Sequence, residues 1–364
     1  MRKVMILANN DVGLYKFRRE LIEELLKKYE VHIALPYGSF VDELVDCGCI
    51  FHEVEIDRRG TNPAKDILLL KRYKSLLREV MPHAVLTYTI KPNVYGGMVC
   101  TALKIPYIVN ITGLGTAVEK PGVLQTVTTT LYKLALKKAA KVFFQNEDNL
   151  LFMKEKGIVQ GGYDVLPGSG VNLEQYAPMP YPSGGTIDFL FVARVMKEKG
   201  IDQYLDAAEY IREKYPNTRF HICGPSDKEY KKLLWEKNSA GIIKYHGAVE
   251  NMLPMYELSC CTIHPTYYPE GMSNVLLETC ACARPIITTD RPGCREVLDD
   301  GVNGFVCRQR DSEDLIAKIE RFLALTDTER EKMGLSARSK VEREFDRKII
   351  IDKYMMELSE IGRV

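Results

Sequence analysis

The sequence has 364 residues, of which 46% are hydrophobic and 27% charged, and its 50 basic and 49 acidic residues give a net charge of +1. These values exclude a disordered polyelectrolyte and a dedicated nucleic-acid binder, since such a binder carries a clearly basic domain. At about 150 residues per domain, the length predicts two domains. No apolar run reaches the roughly 18–20 residues that a membrane-spanning helix needs.

Short apolar runs alternate with helical periodicity through the first half of the chain. The clearest helical stretches cover 15–28 and 64–80. Runs that are apolar on both faces and separated by helices predict a parallel sheet covered by helices. The strand-like runs cover 3–9, 31–36, 50–56, 84–89, 106–112 and 141–146.

The alternation breaks at 167–186, which is rich in proline and glycine, and then restarts. The later runs cover 187–195, 219–224, 242–247, 260–265, 285–290 and 304–307. The pattern predicts two Rossmann-like, doubly wound α/β domains, at 1–170 and 187–340, joined by a linker at 171–186. The last segment, 341–364, contains a long amphipathic helix (341–358) that could fold back across the first domain.

The N-terminus and the cysteines bear on the cellular compartment. An apolar stretch follows two basic residues at the start, as in a signal peptide, but it is short and leads into Asn9, Asn10 and Asp11 instead of a cleavage site. We therefore interpret it as a buried first strand and predict a cytoplasmic protein. The ten cysteines form no C-x-x-C pair, so we expect reduced core thiols and no metal site.

Ligands of open α/β sheets bind where strands turn into helices. The first such turn has a single glycine, Gly13, and no G-x-G-x-x-G, which argues against a Rossmann dehydrogenase. Gly13 either lets the backbone approach a phosphate or serves a tight turn. In the second half, Arg194 and Lys199 precede Gly200, and two cations beside helix amides suit a diphosphate. Such cations also occur as solvated surface charges.

The most informative stretch is HPTYYPEGMSNVLLETC, at 264–280. It places Glu270 in a loop beside Gly271, and Glu278 within the helix that follows. A loop carboxylate with backbone amides around it can hold sugar hydroxyls, and a helical carboxylate can accept hydrogen bonds from a ribose diol. Ser273 is well placed to cap that helix, which is a purely structural role.

Together these motifs resemble the retaining glycosyltransferases of family 4, which have two Rossmann-like domains facing across a cleft (the GT-B fold). The matching features are R-x4-K-G at Arg194, E-x7-E at Glu270, and the segments RPGCREVLDDGVNGFVC (291–307) and EREFDRKIIIDKYMMEL (342–358). The first half is similar to bacterial enzymes that extend lipid-linked precursors of surface polysaccharides such as capsule or lipopolysaccharide.

The resemblance implies roles for individual residues. Arg194 and Lys199 would bind the donor diphosphate and assist its departure, with Gly13 nearby from the other domain. The remaining donor contacts would be Val249 for the base, Glu278 for the ribose, and Glu270, Gly271, Met272 and Ser273 for the sugar. Many members carry a histidine on the turn after the fourth strand, whereas this chain has none there. Lys91 or Asn93 are candidates to substitute for it.

The resemblance also implies a reaction. The donor would be a nucleotide sugar, with UDP favoured, and no cofactor or metal would be needed. Retention of configuration can proceed by double displacement through a carboxylate or by attack on the face that the phosphate leaves. We favour same-face attack, because the turns of the first domain offer no convincing pair of carboxylates. The alternatives are a sugar-nucleotide epimerase of the same fold and a non-catalytic two-lobed sugar-binding protein.

The acceptor is expected on the first half, whose net charge is +4 over residues 1–180 against −3 over 181–364. Arg18 is a further acceptor-side candidate. The stretch 128–141 is a basic amphipathic helix with Leu131, Leu134 and Leu136 as its apolar residues. Such a helix either lies on an anionic membrane, as a polyprenyl-diphosphate acceptor would require, or packs through its leucines with a solvated lysine face.

Overall fold

The structure is a computed structural model that describes residues 1–57, 60, 62–115, 118, 121–159 and 161–361. The chain forms two compact units. The first contains Met1–Gly170, Glu270–Met272 and Lys348–Val364, and the second contains Val171–Pro269 and Ser273–Arg347. The segment predicted as a linker, 171–186, therefore belongs to the second unit, and so do residues 341–347.

The first unit is built on a seven-stranded parallel sheet with the order β3-β2-β1-β4-β5-β6-β7. Its strands are β1 (Arg2–Leu7), β2 (Tyr29–Leu35), β3 (Ile50–Glu53), β4 (Ala84–Tyr88), β5 (Tyr107–Ile111), β6 (Lys141–Phe144) and β7 (Tyr163–Val165). Six of them lie within or overlap the predicted apolar runs. The three-residue β7 has no such run, because all its residues are only half-buried.

Helices connect these strands. They are α1 (Asp11–Leu26), α2 (Val41–Asp46), α3 (Pro63–Val80), α4 (Gly97–Leu103), α5 (Val123–Leu136) and α6 (Glu147–Glu155). A π-helical turn, Pro92–Gly96, leads directly into α4. None of the helices in the described part of the chain is long and apolar enough to cross a bilayer.

Alternate residues of each strand enter different cores, as the twofold period of a strand requires. Val4 and Ile6 of β1 belong to one buried cluster, whereas Met5 and Leu7 belong to another. Both clusters are buried because helices cover both sides of the sheet. This explains why the strands read as continuous apolar runs.

The second unit has a six-stranded parallel sheet with the order β10-β9-β8-β11-β12-β13. Its strands are β8 (Ile187–Val192), β9 (Thr218–Cys223), β10 (Lys244–Gly247), β11 (Cys261–His264), β12 (Ile286–Thr289) and β13 (Gly304–Cys307). Its helices are α7 (Ile201–Lys214), α8 (Lys231–Ser239), α9 (Leu253–Leu258), α10 (Asn274–Ala281), α11 (Ser312–Leu323) and α12 (Asp327–Glu344). Two sheets flanked by helices confirm the predicted fold class.

The prediction of one helix over 341–358 is wrong, because the segment contributes to two helices. α12 ends at Glu344, and α13 covers Arg347–Ile361. Between them the chain is extended: Val171 donates its N–H to the carbonyl of Phe345 at 2.9 Å and accepts the N–H of Arg347 at 3.1 Å. This pairing with a residue far away in sequence interrupts the helix. Ile350, Tyr354 and Leu358 of α13 lie in the core of the first unit.

The basic helix of the first unit also differs from its prediction. α5 begins at Val123, five residues before the predicted stretch. Leu136 is buried and Leu131 half-buried, whereas Leu134 is 53% exposed, so the three leucines do not share one face. The inward face is formed instead by Thr128, Tyr132, Ala135 and Leu136.

All ten cysteines are free thiols, and all except Cys47 are buried. Burial raises the pKa of Cys223 to about 11 and that of Cys100 to about 12. A protonated thiol is a poor nucleophile and a poor metal ligand, so these side chains act as small apolar core residues.

Candidate functional site

The strand order marks one position in the second unit where a ligand can bind. The chain passes from β8 to β9 on one side and later crosses to β11 on the other side of β8. Such a reversal opens a crevice at the carboxyl ends of the two strands that flank it. Arg194 and Lys199 follow β8, and Glu278 lies in α10, the helix that follows β11.

Backbone contacts tie the loops after β8 and β11 together. Gly200 has a φ of +76°, and a Cβ atom there would lie 2.1 Å from the carbonyl oxygen of Pro265. Tyr267 donates its N–H to the carbonyl of Glu198 at 2.9 Å. The ammonium of Lys199 lies 5.0 Å from the centre of the Tyr268 ring. The glycine after Lys199 is therefore required both by its φ and by the close approach of the second loop.

Arg194 retains most of its hydrogen-bonding capacity. Its Nε and Nη2 lie 3.2 and 2.8 Å from the sulfur of Met196, which is a weak acceptor. Among the described residues, the nearest carboxylate oxygen, on Asp227, is 4.0 Å from Nε, and 35% of the Arg194 side chain is exposed. A guanidinium with few strong partners beside a second cation is suited to a diphosphate.

Glu278 is held by a buried tyrosine. The hydroxyl of Tyr256 donates to Oε2 of Glu278 at 2.8 Å, and Tyr256 is fully buried. Burial, together with the charge of Glu278, holds the pKa of Tyr256 well above its ordinary value. The phenol therefore stays protonated and fixes one carboxylate oxygen. Tyr256 lies 22 residues from Glu278 in the sequence, and no motif signalled it.

Ser273 and Val249 occupy the predicted loops of the second unit. Ser273 precedes α10, but its side chain makes no capping hydrogen bond, and its Oγ lies 3.4 Å from Nε2 of His264. Its N–H donates to the carbonyl of Gly293 at 2.8 Å. Val249 is half-buried after β10 and packs beside the apolar cluster that includes Tyr256.

Glu270, Gly271 and Met272 belong to the first unit. Glu270 is half-buried and Met272 is buried. The side-chain amide of Asn146 donates to the carbonyls of Gly271 and Glu270, at 2.6 and 3.2 Å. The sequence identified the Glu270 loop but gave no sign of Asn146, which simply follows a strand.

The first unit has its own reversal of strand order, between β1 and β4. After β1, the N–H of Gly13 donates to Oδ1 of Asn10, the residue that caps α1, at 2.7 Å. After β4, Thr89 has a φ of +72°, which is rare for a β-branched residue. Strain of this kind is often found at functional sites, so this turn is a candidate for one.

The three acceptor-side candidates have different surroundings. Lys91 forms an ion pair with Asp66 at 2.6 Å. Asn93 is buried and holds the turn, since it accepts from the Thr87 hydroxyl at 2.7 Å and donates to the carbonyl of Asn110 at 2.8 Å. A buried amide with both ends bonded is unsuited to contact an acceptor.

Arg18 is the most suitable of the three. It is only 6% exposed, and its guanidinium stacks over the ring of Tyr88, 5.2 Å from the centre. Its Nη1 donates to the carbonyl of Phe17, while its Nε is buried without a hydrogen-bond partner among the described residues. A cation buried in this way is costly unless a partner completes its hydrogen bonds.

Two protein-family models match the chain, one in each half. Residues 3–146 match the family described as glycosyl transferase 4-like, and residues 181–340 match glycosyl transferases group 1. Both families are transferases, which favours the transferase over the epimerase and the binding protein.

Individual relatives agree. The chain is 25% identical, over 97% of both chains, to the N,N'-diacetylbacillosaminyl-diphospho-undecaprenol alpha-1,3-N-acetylgalactosaminyltransferase of Campylobacter jejuni. It is 27% identical to the capsular polysaccharide biosynthesis glycosyltransferase CapM of Staphylococcus aureus over 44% of this chain and 42% of that protein.

Two crystal structures share the fold. A glycosyltransferase from Rickettsia africae superposes with a TM-score of 0.82 at 18% identity, covering 99% of this chain and 98% of that one. Anabaena HepE in complex with UDP and glucose gives 0.82 at 16% identity, covering 99% and 100%. The chain is thus a glycosyltransferase, with a glycosyl transferase 4-like first half and a glycosyl transferases group 1 second half, and it has the GT-B fold of these structures.

Proposed function

We propose that this glycosyltransferase is a retaining enzyme that moves a sugar from a UDP-sugar to a glycan on a polyprenyl diphosphate, a precursor of a bacterial surface polysaccharide. The observation that carries the donor half is the pair Arg194 and Lys199 beside the β8–β11 crevice. The C. jejuni relative is named for an undecaprenyl-diphosphate acceptor, and the HepE structure contains UDP. Both names support these choices of acceptor and nucleotide.

The cations of the second unit would bind the donor diphosphate. Arg194 presents a guanidinium with few strong partners, and Lys199 is positioned by Gly200 just before α7. The amides at the start of α7 add further positive potential. Glu278, oriented by Tyr256, would accept hydrogen bonds from the ribose diol, and Val249 would pack against the base.

Glu270 and the backbone at Gly271, Met272 and Ser273 would hold the transferred sugar. A half-buried carboxylate accepts hydrogen bonds from sugar hydroxyls, and backbone amides donate to them. This assignment follows the E-x7-E resemblance. The lack of room for a side chain at Gly271 supports it, since a Cβ atom there would lie 2.5 Å from the carbonyl oxygen of Thr112.

We propose transfer by same-face attack without a metal ion. The acceptor hydroxyl attacks the anomeric carbon from the side that the UDP leaves, and its proton passes to the departing phosphate. Arg194 and Lys199 stabilise the charge that grows on that phosphate, which is the service a metal gives in other transferases. Asp11, a buried carboxylate after β1, accepts the N–H of Phe40 at 2.7 Å and is thus engaged in holding a loop.

The first unit would bind the acceptor. Arg18 supplies a buried cation that an anionic acceptor group can complete, and the strained turn at Thr89 lies at the same end of the sheet. α5 offers a route to the membrane, because Val123, Val127 and Leu134 are 82%, 49% and 53% exposed along one side of the helix. Exposed lysines flank this stripe, as in helices that lie on anionic lipid.

A transfer assay tests the proposal. UDP, GDP and their common sugars are first screened by thermal shift, starting with UDP-N-acetylhexosamines, UDP-galacturonate and UDP-glucose. The donor that binds is then supplied with a polyprenyl-diphosphate-linked N-acetylhexosamine. We expect transfer with retained configuration that EDTA does not abolish, and loss of turnover in Glu270→Ala. Full activity of Glu270→Ala would overturn the site, and an inverted product would overturn the mechanism.

A further inference from the structure

Asn146 uses the two ends of its side-chain amide for different purposes. It lies just after β6 and is only 2% exposed. Its Oδ1 accepts the N–H of Asn149 at 2.9 Å and so caps α6. Its Nδ2 donates to the carbonyl of Gly271 at 2.6 Å and to that of Glu270 at 3.2 Å. One atom therefore serves the helix, and the other holds the 270–272 segment.

Gly271 shows how closely that segment is confined. A Cβ atom at this position would lie 2.4 Å from Oε1 of Gln145 and 2.5 Å from the carbonyl oxygen of Thr112. Real Cβ atoms do not approach so closely, and one of the two obstacles is backbone. The segment is thus fixed by hydrogen bonds from Asn146 and by steric contact with residues on both sides.

Resting on the proposed contact of Glu270 with the donor sugar, we propose that Asn146 is a positioning residue for glycosyl transfer. Its Nδ2 fixes the carbonyls of Glu270 and Gly271, and so sets the direction of the Glu270 carboxylate and of the amides that follow. Catalytic groups must be held within fractions of an ångström of the productive geometry, and a displacement of about 1 Å costs on the order of 100-fold in rate.

The two ends of the amide allow a selective variant. Asn146→Asp keeps an oxygen for the N–H of Asn149, and aspartate caps helices as well as asparagine does. The variant removes both Nδ2 hydrogen bonds and turns a carboxylate oxygen towards two carbonyl oxygens. Helix α6 should therefore remain intact, whereas the 270–272 segment should loosen.

A matched control makes the same chemical change elsewhere. Asn62 caps α3 through Oδ1, which accepts the N–H of Ala64 at 3.0 Å, and lies outside every contact described for 270–272. Asn62→Asp should leave turnover unchanged. Should Asn146→Asp melt much below the wild type, Asn146→Ser replaces it, since serine also caps a helix and lacks the amide NH2 group.

Three measurements test the proposal. Hydrogen–deuterium exchange of the peptide covering 268–276 should be faster in Asn146→Asp and unchanged in Asn62→Asp. With the UDP-sugar and polyprenyl-linked acceptor described above, kcat should fall about 10- to 100-fold. The dissociation constant for UDP, which lacks the sugar, should change less than twofold. General unfolding of the variant would instead weaken UDP binding as well.

The outcomes separate the two proposals. An active wild type with a fully active Asn146→Asp would overturn the positioning role and leave the transferase intact. Unchanged exchange at 268–276 would show that Asn146 does not hold the segment. A wild type that transfers no sugar would overturn the proposed function and the catalytic part of this inference, even if exchange becomes faster.

Discussion

The hydroxyl of Tyr256 donates a 2.8 Å hydrogen bond to Oε2 of Glu278 inside the second unit. The phenol is buried, and its pKa is held far above the ordinary value, so it remains a donor at every physiological pH. The bond fixes the direction of the carboxylate that we propose for the ribose diol. For the proposed contact with a ribose, a carboxylate that is oriented in advance lowers the free-energy cost of binding.

Tyr256→Phe should weaken UDP binding about three- to tenfold, because hydrogen bonds to charged groups contribute about 1.5–3 kcal/mol and water replaces part of this one. Isothermal titration with UDP measures the change. Tyr181→Phe is the matched control, since that hydroxyl donates to the carbonyl of Cys260. Equal UDP affinity for the wild type and Tyr256→Phe would show that the tyrosine does not orient Glu278 for the ligand.

Gly200→Ala should destabilise the second unit and abolish donor binding. The substitution meets both a left-handed φ of +76° and a clash with Pro265. The comparison is Gly241→Ala, where φ is +71° and no atom lies within 4 Å of the added Cβ. Gly241→Ala should lower the free energy of unfolding by about 1–2 kcal/mol, the cost of holding alanine in the left-handed conformation.

Urea unfolding and UDP titration distinguish the two glycine variants. Gly200→Ala should lose clearly more stability than Gly241→Ala, because a backbone carbonyl cannot move aside as a flexible side chain does. Equal losses in the two variants would mean that the loops after β8 and β11 are not interlocked at Gly200.

Stability should fall on acidification below about pH 6.5, the ordinary histidine pKa. In the second unit Nδ1 of His221 lies 3.0 Å from Nε2 of His246, and Nε2 of His221 lies 2.7 Å from Asp188. The first unit repeats the contact with His52 against His32, at 2.9 Å. Burial, and then the neighbouring histidine, lower the pKa of both His246 and His52.

The sign follows from proton binding. Below pH 6.5 the histidines of the unfolded chain bind protons, whereas His246 and His52 of the folded protein stay neutral because their pKa values are lowered. The free energy of unfolding therefore falls as the pH falls, until the pH is below these lowered pKa values. Urea midpoints at pH 7.5, 6.5 and 5.5 measure this slope. His246→Gln should reduce the slope, and an unchanged slope would show that the pair does not contribute.

The α5 stripe should mediate binding to anionic membranes. Val127→Asp should abolish flotation with vesicles of phosphatidylglycerol and phosphatidylcholine at low salt, because a carboxylate is repelled by the lipid and costly to bury. Leu151→Asp on α6 is the control, since Leu151 is exposed to the same degree, 53% against 49% for Val127. Absence of wild-type flotation at low salt would remove the membrane proposal.

Much of the fold could be predicted because strand and helix patterns are local. Because β1 and β8 are buried on both faces, their sequences are continuous apolar runs. Such a run can be recognised from a few consecutive residues. The linker could not be placed in the same way. Arg284 is fully buried and donates to the carbonyls of Met179 and Pro180, at 3.0 and 2.8 Å, and so fixes this segment to the second unit.

The residues of the candidate site also differ in whether local sequence is enough to identify their role. The sequence was sufficient to propose Arg194, Lys199 and Glu278, because they belong to motifs with a fixed spacing along the chain. Asn93 and Lys91 looked available because their partners Asn110 and Asp66 are distant in sequence.

The sequence by itself thus determined that this protein has two α/β halves with nearly balanced charge and a resemblance to nucleotide-sugar transferases. Only the tertiary structure decided that Tyr256 orients Glu278 and that Asn146 holds the Glu270 loop. The reason is physical: hydrogen bonds between residues 22 and 125 positions apart leave no period or composition in the chain. They exist only once the folded chain has brought these residues together.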